Sequence, residues 1–307
     1  MSLSQWLYLI LLSVLWGGSF FFVGVAVHDV PMLTLVFFRV GLAAAFLWPI
    51  VAVFRHRAPT TLRAWSPFVV MAVLNNIIPF SLITLGQRDI ASGLASVLNA
   101  TTPLWTVLIA HAFTHDEKLT ANKLAGVILG VVGVAWLMGP EAVAGQSSSV
   151  IGMLCVIGAT ISYGFAGLWG RRLRETPPLV TAACQLTASA VLLAPVMLIV
   201  DQTWTLPWPP AHVAWSVVGL AVLSTALAYI VFFHVLAISG PTNVMLVTLL
   251  IPVSAILLGT LILNETLLSQ HLTGAGIIAS ALLIFDGRLV GWLRRRLMGV
   301  TLRRDRP

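Results

Sequence analysis

The sequence predicts an all-α membrane protein that crosses the bilayer ten times, as two inverted five-helix repeats. Composition, a succession of long apolar runs and an internal repeat predict this fold. Of the 307 residues, 59% are apolar and only 9% are charged. Such a composition lies far outside the range of soluble globular domains. Lipid is therefore the expected solvent for most of the chain.

Apolar runs of about 20 residues, the length that crosses a hydrocarbon core of about 30 Å, follow one another along nearly the whole chain. They predict spans at 5–26, 32–54, 65–86, 90–113, 122–139, 149–170, 177–200, 212–238, 242–264 and 270–292. No basic segment precedes the first run, and no convincing cleavage site follows it. We therefore expect a retained first helix, not a signal peptide.

The basic residues lie almost entirely on one side of the predicted topology. With a cytoplasmic N-terminus, the inside segments carry Arg55, Arg57, Arg63, Lys118, Lys123, Arg171, Arg172, Arg174, Arg294, Arg295, Arg296, Arg303, Arg304 and Arg306. The outside links retain only Arg88. By the positive-inside rule both termini are expected in the cytoplasm, and the net charge of +7 reflects topology instead of a nucleic-acid-binding face.

An internal repeat appears when the sequence is shifted by 147–149 residues. The aligned anchors are Trp16-Gly17 with Tyr163-Gly164, Pro103 with Pro252, and Glu117-x8-Gly126 with Glu265-x8-Gly274. Because five is an odd number of crossings, the second copy starts from the opposite side of the membrane, as in secondary transporters. The predicted repeats are 1–140 and 149–293, followed by a basic cytoplasmic tail at 294–307.

These features resemble the drug/metabolite transporter superfamily, in its EamA-type ten-helix branch, over essentially residues 5–292. Within that branch the chain looks most like the YddG-type exporters of aromatic amino acids and related metabolites. The resemblance implies export across a bacterial inner membrane by alternating access. It also implies a central cavity lined by the first, third, fourth, sixth, eighth and ninth helices.

The polar and aromatic side chains inside the spans are the candidate solute-binding residues. They are Trp16, Arg39, Asn75, Asn76, Asn99, Thr102, Tyr163, Ser224, Tyr229 and Asn243. Trp16 and Tyr163 occupy matching repeat positions and would offer two aromatic walls to one solute. The fourth span carries Asn99 and Thr102 on a polar stripe, which either lines a watery cavity or packs against another helix.

Three more of these candidates carry an explicit alternative. Asn75 and Asn76 point about 100° apart on a helix, so they cannot both face one cavity, and at least one is expected to bond another helix. Arg39 is the only Lys or Arg deep within a span. It either holds a substrate carboxylate with its planar fork, or it caps backbone carbonyls or snorkels outward.

The candidate hinges are the repeated prolines and glycines. Pro103 and Pro252 are expected to kink the fourth and ninth spans, or else to serve packing. Gly17 and Gly164 follow the repeated aromatic residues in the first and sixth spans.

Other chemistry is not expected from this sequence. His111 lies near the end of a span and His115 in a link, no Gly-rich phosphate loop is present, and Cys155 and Cys184 suit packing. We therefore expect no metal, no cofactor and no enzyme activity, although an intramembrane enzyme or a channel stands as a less favoured alternative. Glu117 and Glu265 precede helices, where a carboxylate favours exposed backbone amides.

The expected partners are the lipid bilayer and a small-molecule substrate, either an amino acid or an aromatic metabolite, with the chain a monomer or weak homodimer. No Asp or Glu lies near the membrane midplane. We therefore favour a facilitator over a proton- or sodium-coupled exporter.

Overall fold

The computed structural model describes residues 2–114, 119–143, 147–244 and 246–287. Glu117 and the predicted basic tail at 294–307 lie outside these residues. The α-helices are α1 Leu3–Ala26, α2 Met32–Val53, α3 Leu62–Ala72, α4 Ile78–Gly86, α5 Ser92–Asn99, α6 Thr102–Phe113, α7 Ala121–Val143, α8 Ser147–Gly170, α9 Pro178–Val200, α10 Ala211–Ala221, α11 Ala228–Val244, α12 Val247–Ile262 and α13 Ser269–Asp286.

Several of these helices join end to end into longer spans. A π-helical segment at Val73–Ile77 connects α3 to α4 as the third span, and another at Val222–Leu227 connects α10 to α11 as the eighth. Within the described residues, eight helices are long and apolar enough to cross a membrane, and α12 is a shorter apolar helix. With α13 these account for the ten predicted spans, and the predicted all-α membrane fold is confirmed.

The helix starts follow local sequence signals. Ser2 and Gln5 form a reciprocal capping box at the start of α1, and the Thr61 hydroxyl accepts a hydrogen bond from the amide of Ala64 in α3. Pro178 occupies the first helical position of α9, where its missing N–H costs nothing. Within lipid, a helical span satisfies most of its backbone polar groups along its own length.

The start of the ninth span was predicted incorrectly. The ninth helix begins at Val247 instead of residue 242, and α11 extends to Val244 across a break at Gly240. Gly240 has φ 74° and ψ 166°, a conformation that residues with side chains rarely adopt. Asn243 therefore lies in the connection before the ninth span.

Helix packing has the symmetry expected of two repeats. α1 packs against α12, and the matching pair in the other half, α8 and α6, is also in contact. In the same way, the α3–α9 contact matches the α10–α2 contact. α2 packs against its own repeat-mate α9, and α7 packs against α13. The two halves therefore interlock around a central region, where each supplies equivalent helices.

Candidate functional site

A cavity of about 660 Å³ lies between the two repeats. Most of the predicted solute-binding residues line it: Trp16, Arg39, Asn75, Asn99, Thr102, Tyr163, Ser224 and Tyr229. The first, third, fourth, sixth, eighth and ninth spans all contribute, as the resemblance implied. Arg39 of α2 and Gln185 of α9 show that the second and seventh spans contribute as well. The volume lies within the range of pockets that hold small organic molecules.

Aromatic rings form part of the cavity wall. The rings of Trp16 and Phe232 lie 5.3 Å apart between centroids at 41°, and Tyr229 stacks on Phe233 at 6.0 Å. Tyr163 lies on the same wall from α8. Ring faces of this kind suit an apolar or aromatic body on a bound solute.

A polar network spans the two repeats on another part of the wall. The Tyr229 hydroxyl accepts hydrogen bonds from Asn75 Nδ2 at 2.9 Å and from Gln185 Nε2 at 3.1 Å. Asn75 Nδ2 also lies 3.5 Å from Gln185 Oε1. Three spans therefore meet at one hydroxyl group, and the side chain of Asn75 is oriented toward the cavity.

Arg39 lies at the border of this cavity, and 6% of its surface is exposed. Its Nε donates a hydrogen bond to Thr225 Oγ1 at 3.1 Å, and its Cζ lies 3.5 Å from the centroid of the Phe80 ring. Thr225 in turn donates to the Leu220 carbonyl at 2.8 Å. Thr225 thus holds the guanidinium at its Nε edge, and the Phe80 ring covers one of its faces.

Both π-helical segments position residues of this site. The first carries Asn75 and Asn76, and the second carries Ser224 and Thr225, at matching positions of the two repeats. The extra residue in a π turn rotates the following side chains relative to an α-helix, and such segments are frequent at functional sites. Here they direct polar side chains inward from otherwise apolar spans.

Two predicted solute-binding residues lie elsewhere, and these assignments are corrected. Asn76 is fully buried and donates to Ser189 Oγ at 3.0 Å, because it points away from its neighbour Asn75. Asn243 donates from Nδ2 to the Ser239 carbonyl at 2.8 Å within the connection between the eighth and ninth spans. Neither residue lines the cavity.

The candidate hinge residues lie in different settings. The fourth span is interrupted at Ala100 and Thr101, and Pro103 falls in the first turn of α6. Pro252 lies inside α12, which continues through it. The helices likewise continue through both glycines.

Both glycines allow close helix contacts. A Cβ added at Gly17 would overlap the side chain of Ser254 and lie 2.9 Å from the backbone nitrogen of Ala255. At Gly164 it would meet Ile109 at 2.6 Å. The two contacts are equivalent, because α1 on α12 and α8 on α6 are matching pairs.

The cavity extends to one end of the helix bundle. Leu173, Arg174, Thr176 and Pro178, which form the connection between α8 and α9, lie along its wall. This connection is on the side predicted to be cytoplasmic. Of the described residues in the connections at the other end, none lines the cavity.

The other end is closed by hydrogen bonds, and those of Glu265 join the two repeats. The Glu265 carboxylate accepts from the backbone amides of Ser92 at 3.0 Å and Gly93 at 3.4 Å, at the start of α5. Gln87 donates to the carbonyl of Phe20 at 2.8 Å and to Ser92 Oγ at 3.0 Å. Glu265 therefore caps a helix of the other repeat, where sequence reasoning had expected it to act on the helix that follows it.

Several lining residues were not predicted from the sequence. Gln185 is a polar residue in an apolar span, which is a signal that could have identified it. Phe80 and Phe232 carry no such signal, since phenylalanine is common on lipid-facing surfaces. Among the described residues, no group of three His, Cys, Asp or Glu side chains could hold a metal ion.

Relatives of the chain are transporters. The protein called uncharacterized transporter YoaV from Bacillus subtilis is 26% identical over 271 residues, which cover 88% of this chain and 92% of that protein. The uncharacterized inner membrane transporter YedA from Escherichia coli is 24% identical, covering 89% and 87% respectively. A probable amino-acid metabolite efflux pump from Escherichia coli is 26% identical, covering 90% and 92%.

A solved crystal structure shares the fold. It superposes with a TM-score of 0.65 at 17% identity, covering 94% of this chain and 98% of the other. The pattern of one transporter family matches the sequence twice, at residues 4–139 and 150–285. The two matches together cover most of the chain and repeat with the five-helix halves. The protein is thus a multi-pass membrane transporter and belongs to the EamA-like transporter family.

Proposed function

We propose that the protein is a carrier that exports small organic metabolites, including aromatic amino acids, through the central cavity by alternating access. The observation that carries the proposal is the cavity itself. It lies between two repeats, opens toward one end of the bundle and is closed at the other by contacts that join the repeats. Rocking one repeat against the other around such a site is how inverted-repeat transporters work.

The cavity wall supports an amphipathic solute. Trp16, Tyr163 and Phe232 would contact an apolar or aromatic body, while Asn75 and Tyr229 would hydrogen-bond a polar group. Asn99 Oδ1 and Ser224 Oγ are buried without a hydrogen-bond partner in the described structure, and both residues line the cavity. Buried polar atoms usually have partners, so these two are available to a solute.

The relatives support the same class of substrate. Two of them, from Salmonella typhimurium and Escherichia coli, are named probable amino-acid metabolite efflux pumps, each at 26% identity. The inner membrane location is carried over from YedA. Export and cytoplasmic termini follow from the resemblance and from the positive charge predicted on the inside.

We propose a facilitator, because the described residues that line the cavity include no Asp, Glu or His. Proton-coupled carriers commonly place such a titratable group in the transport path. Without one, solute movement would follow the solute's own gradient, which is sufficient for releasing an accumulated metabolite. The alternatives are proton and sodium coupling.

The test is efflux of labelled solutes from proteoliposomes. Liposomes containing the purified protein are loaded with phenylalanine or alanine, and release is compared with that from protein-free liposomes. Flux of phenylalanine that is unchanged by a pH gradient or by replacing sodium with potassium supports the proposal. Accumulation of either solute against its gradient, driven by protons or sodium, contradicts the facilitator mechanism.

A further inference from the structure

We propose that Arg39 binds a carboxylate of the transported solute, so that the cavity selects acids with an apolar body and rejects their neutral and cationic analogues. This inference rests on the proposed function and specifies its substrate class. It is carried by the position and surroundings of one guanidinium group.

Arg39 has no counter-ion within the described part of the chain. Its described contacts are a hydroxyl group, Thr225, and an aromatic ring, Phe80. An arginine inside a membrane protein is costly unless it faces water, protein groups or an anion. A ligand that brings its own negative charge would supply the missing partner.

The available part of the guanidinium has the geometry that a carboxylate needs. Thr225 occupies Nε, and Phe80 covers one face, while neither Nη atom forms a hydrogen bond with a described residue. Arg39 lines the cavity, and the two Nη atoms form the end of its side chain. Two parallel N–H donors at that end match the two oxygens of a carboxylate.

Thr225 fixes this geometry. Its own hydroxyl hydrogen is directed to the Leu220 carbonyl at 2.8 Å, so the Thr225 oxygen presents a lone pair to Arg39 Nε. Thr225 is therefore a positioning residue, and the π-helical segment Val222–Leu227 places it there.

The charge balance of the cavity favours anions. Its described lining includes Arg39 and, near the open end, Arg174, but no Asp or Glu. A carboxylate solute would be attracted by Arg174 at the opening and by Arg39 inside the cavity. A cationic solute would be repelled by Arg39, since the described lining of the cavity contains no carboxylate.

The other repeat shows that a structural link between these helices needs no charge. In the matching contact, Asn76 of the first π-helical segment donates to Ser189 of α9 at 3.0 Å. Both partners are neutral, and both are buried. The same helix contact is thus made once with neutral groups and once with an arginine, so the charge serves a purpose other than joining helices.

The test compares two nearly isosteric probes, 3-phenylpropionate and 3-phenylpropanamide, by calorimetric binding to the purified protein. We expect the acid to bind about 10-fold or more tightly than the amide, the size of a hydrogen bond to a charged group. Arg39→Gln should bind both probes equally. Arg63→Gln removes an exposed arginine outside the cavity and should keep the preference. Thr225→Val should lower the ratio of the affinity for the acid to the affinity for the amide. Thr225→Ser keeps the hydroxyl group and should show the wild-type ratio.

Equal binding of both probes by the wild-type protein would overturn the inference, as would a preference that persists in folded Arg39→Gln. The wild-type comparison decides the question even if Arg39→Gln does not fold. Transport of both probes at equal rates in proteoliposomes would contradict the carboxylate site but would still support the proposed carrier function. If neither probe binds or moves and phenylalanine is not transported, the proposed function fails together with the inference.

Discussion

The carboxylate of Glu265 accepts a hydrogen bond from the backbone amide of Ser92 at 3.0 Å. Glu265 lies in the connection before α13, and Ser92 begins the broken fourth span. Neither the side chain of Ala91 nor any other local group caps α5. The first backbone amides of α5 thus find their hydrogen-bond acceptor in the other repeat. Separating the repeats at this end would leave these amides without that acceptor.

We expect Glu265→Gln to open the closed end of the cavity more often. Losing a charged helix cap costs about 1 kcal/mol, which shifts the balance between the two conformations roughly fivefold. The measurement is labelling of a cysteine placed at Ser19, a buried cavity residue, by a thiol reagent confined to the periplasm. Labelling should rise several-fold.

The control for this prediction is Glu175→Gln, which removes an exposed carboxylate from the connection at the open end. It should leave periplasmic labelling of the Ser19 position unchanged. Equal labelling in Glu265→Gln and the parent protein would mean that the Glu265 contact does not hold this end closed.

Gly17→Ala should destabilise the protein by about 1–3 kcal/mol, the usual cost of forcing an extra group into a close contact. The added Cβ would meet Ser254 and the backbone of Ala255, and a helix backbone cannot yield as a flexible side chain can. Gly276→Ala is the matched control, since that position has open space around it, and helix propensity favours alanine. Thermal unfolding in detergent distinguishes them, and equal unfolding temperatures would refute the close contact.

Trp16→Ala and Tyr163→Ala should weaken the transport of aromatic solutes more than that of small aliphatic ones. A favourable ring pair contributes about 0.5–1.5 kcal/mol beyond the burial of its area, and alanine removes that contribution. Initial rates for phenylalanine and alanine in the same proteoliposomes provide the comparison. Equal losses for the two solutes would assign these rings to helix packing alone.

The topology prediction is tested by labelling single cysteines in a variant that lacks Cys155 and Cys184. A cysteine at Thr205, exposed between the seventh and eighth spans, should react with a reagent confined to the periplasm. A cysteine at Arg63, exposed in the first turn of α3, should not react. The opposite pattern would invert the orientation and with it the proposed direction of transport.

The sequence predicted the spans well because lipid imposes a simple requirement on them. Every span must be helical and apolar for about 20 residues, and both properties can be read directly from the chain. The repeats could also be identified from the sequence, because equivalent helix contacts in the two halves require equivalent residues. Gly17 and Gly164, which follow Trp16 and Tyr163, make such matching contacts.

The parts that were not predicted depend on rotation about helix axes. The sequence indicated that Asn75 and Asn76 could not face the same cavity, but it could not decide which one does. A π turn changes the direction of every following side chain, and no residue in Val73–Ile77 predicts such a turn. The break at Gly240 falls within the link predicted between the eighth and ninth spans, but the start of the ninth helix, at Val247, was predicted five residues too early at residue 242.

The central claim is that the cavity carries solute by alternating access, and counterflow tests it most directly. Proteoliposomes are loaded with unlabelled phenylalanine, and the uptake of labelled phenylalanine from outside is followed over time. A carrier that exchanges solute as it changes conformation should show faster uptake than in unloaded proteoliposomes, with a transient excess of label inside. Uptake at the same rate whether or not phenylalanine is inside would contradict alternating access and indicate a channel.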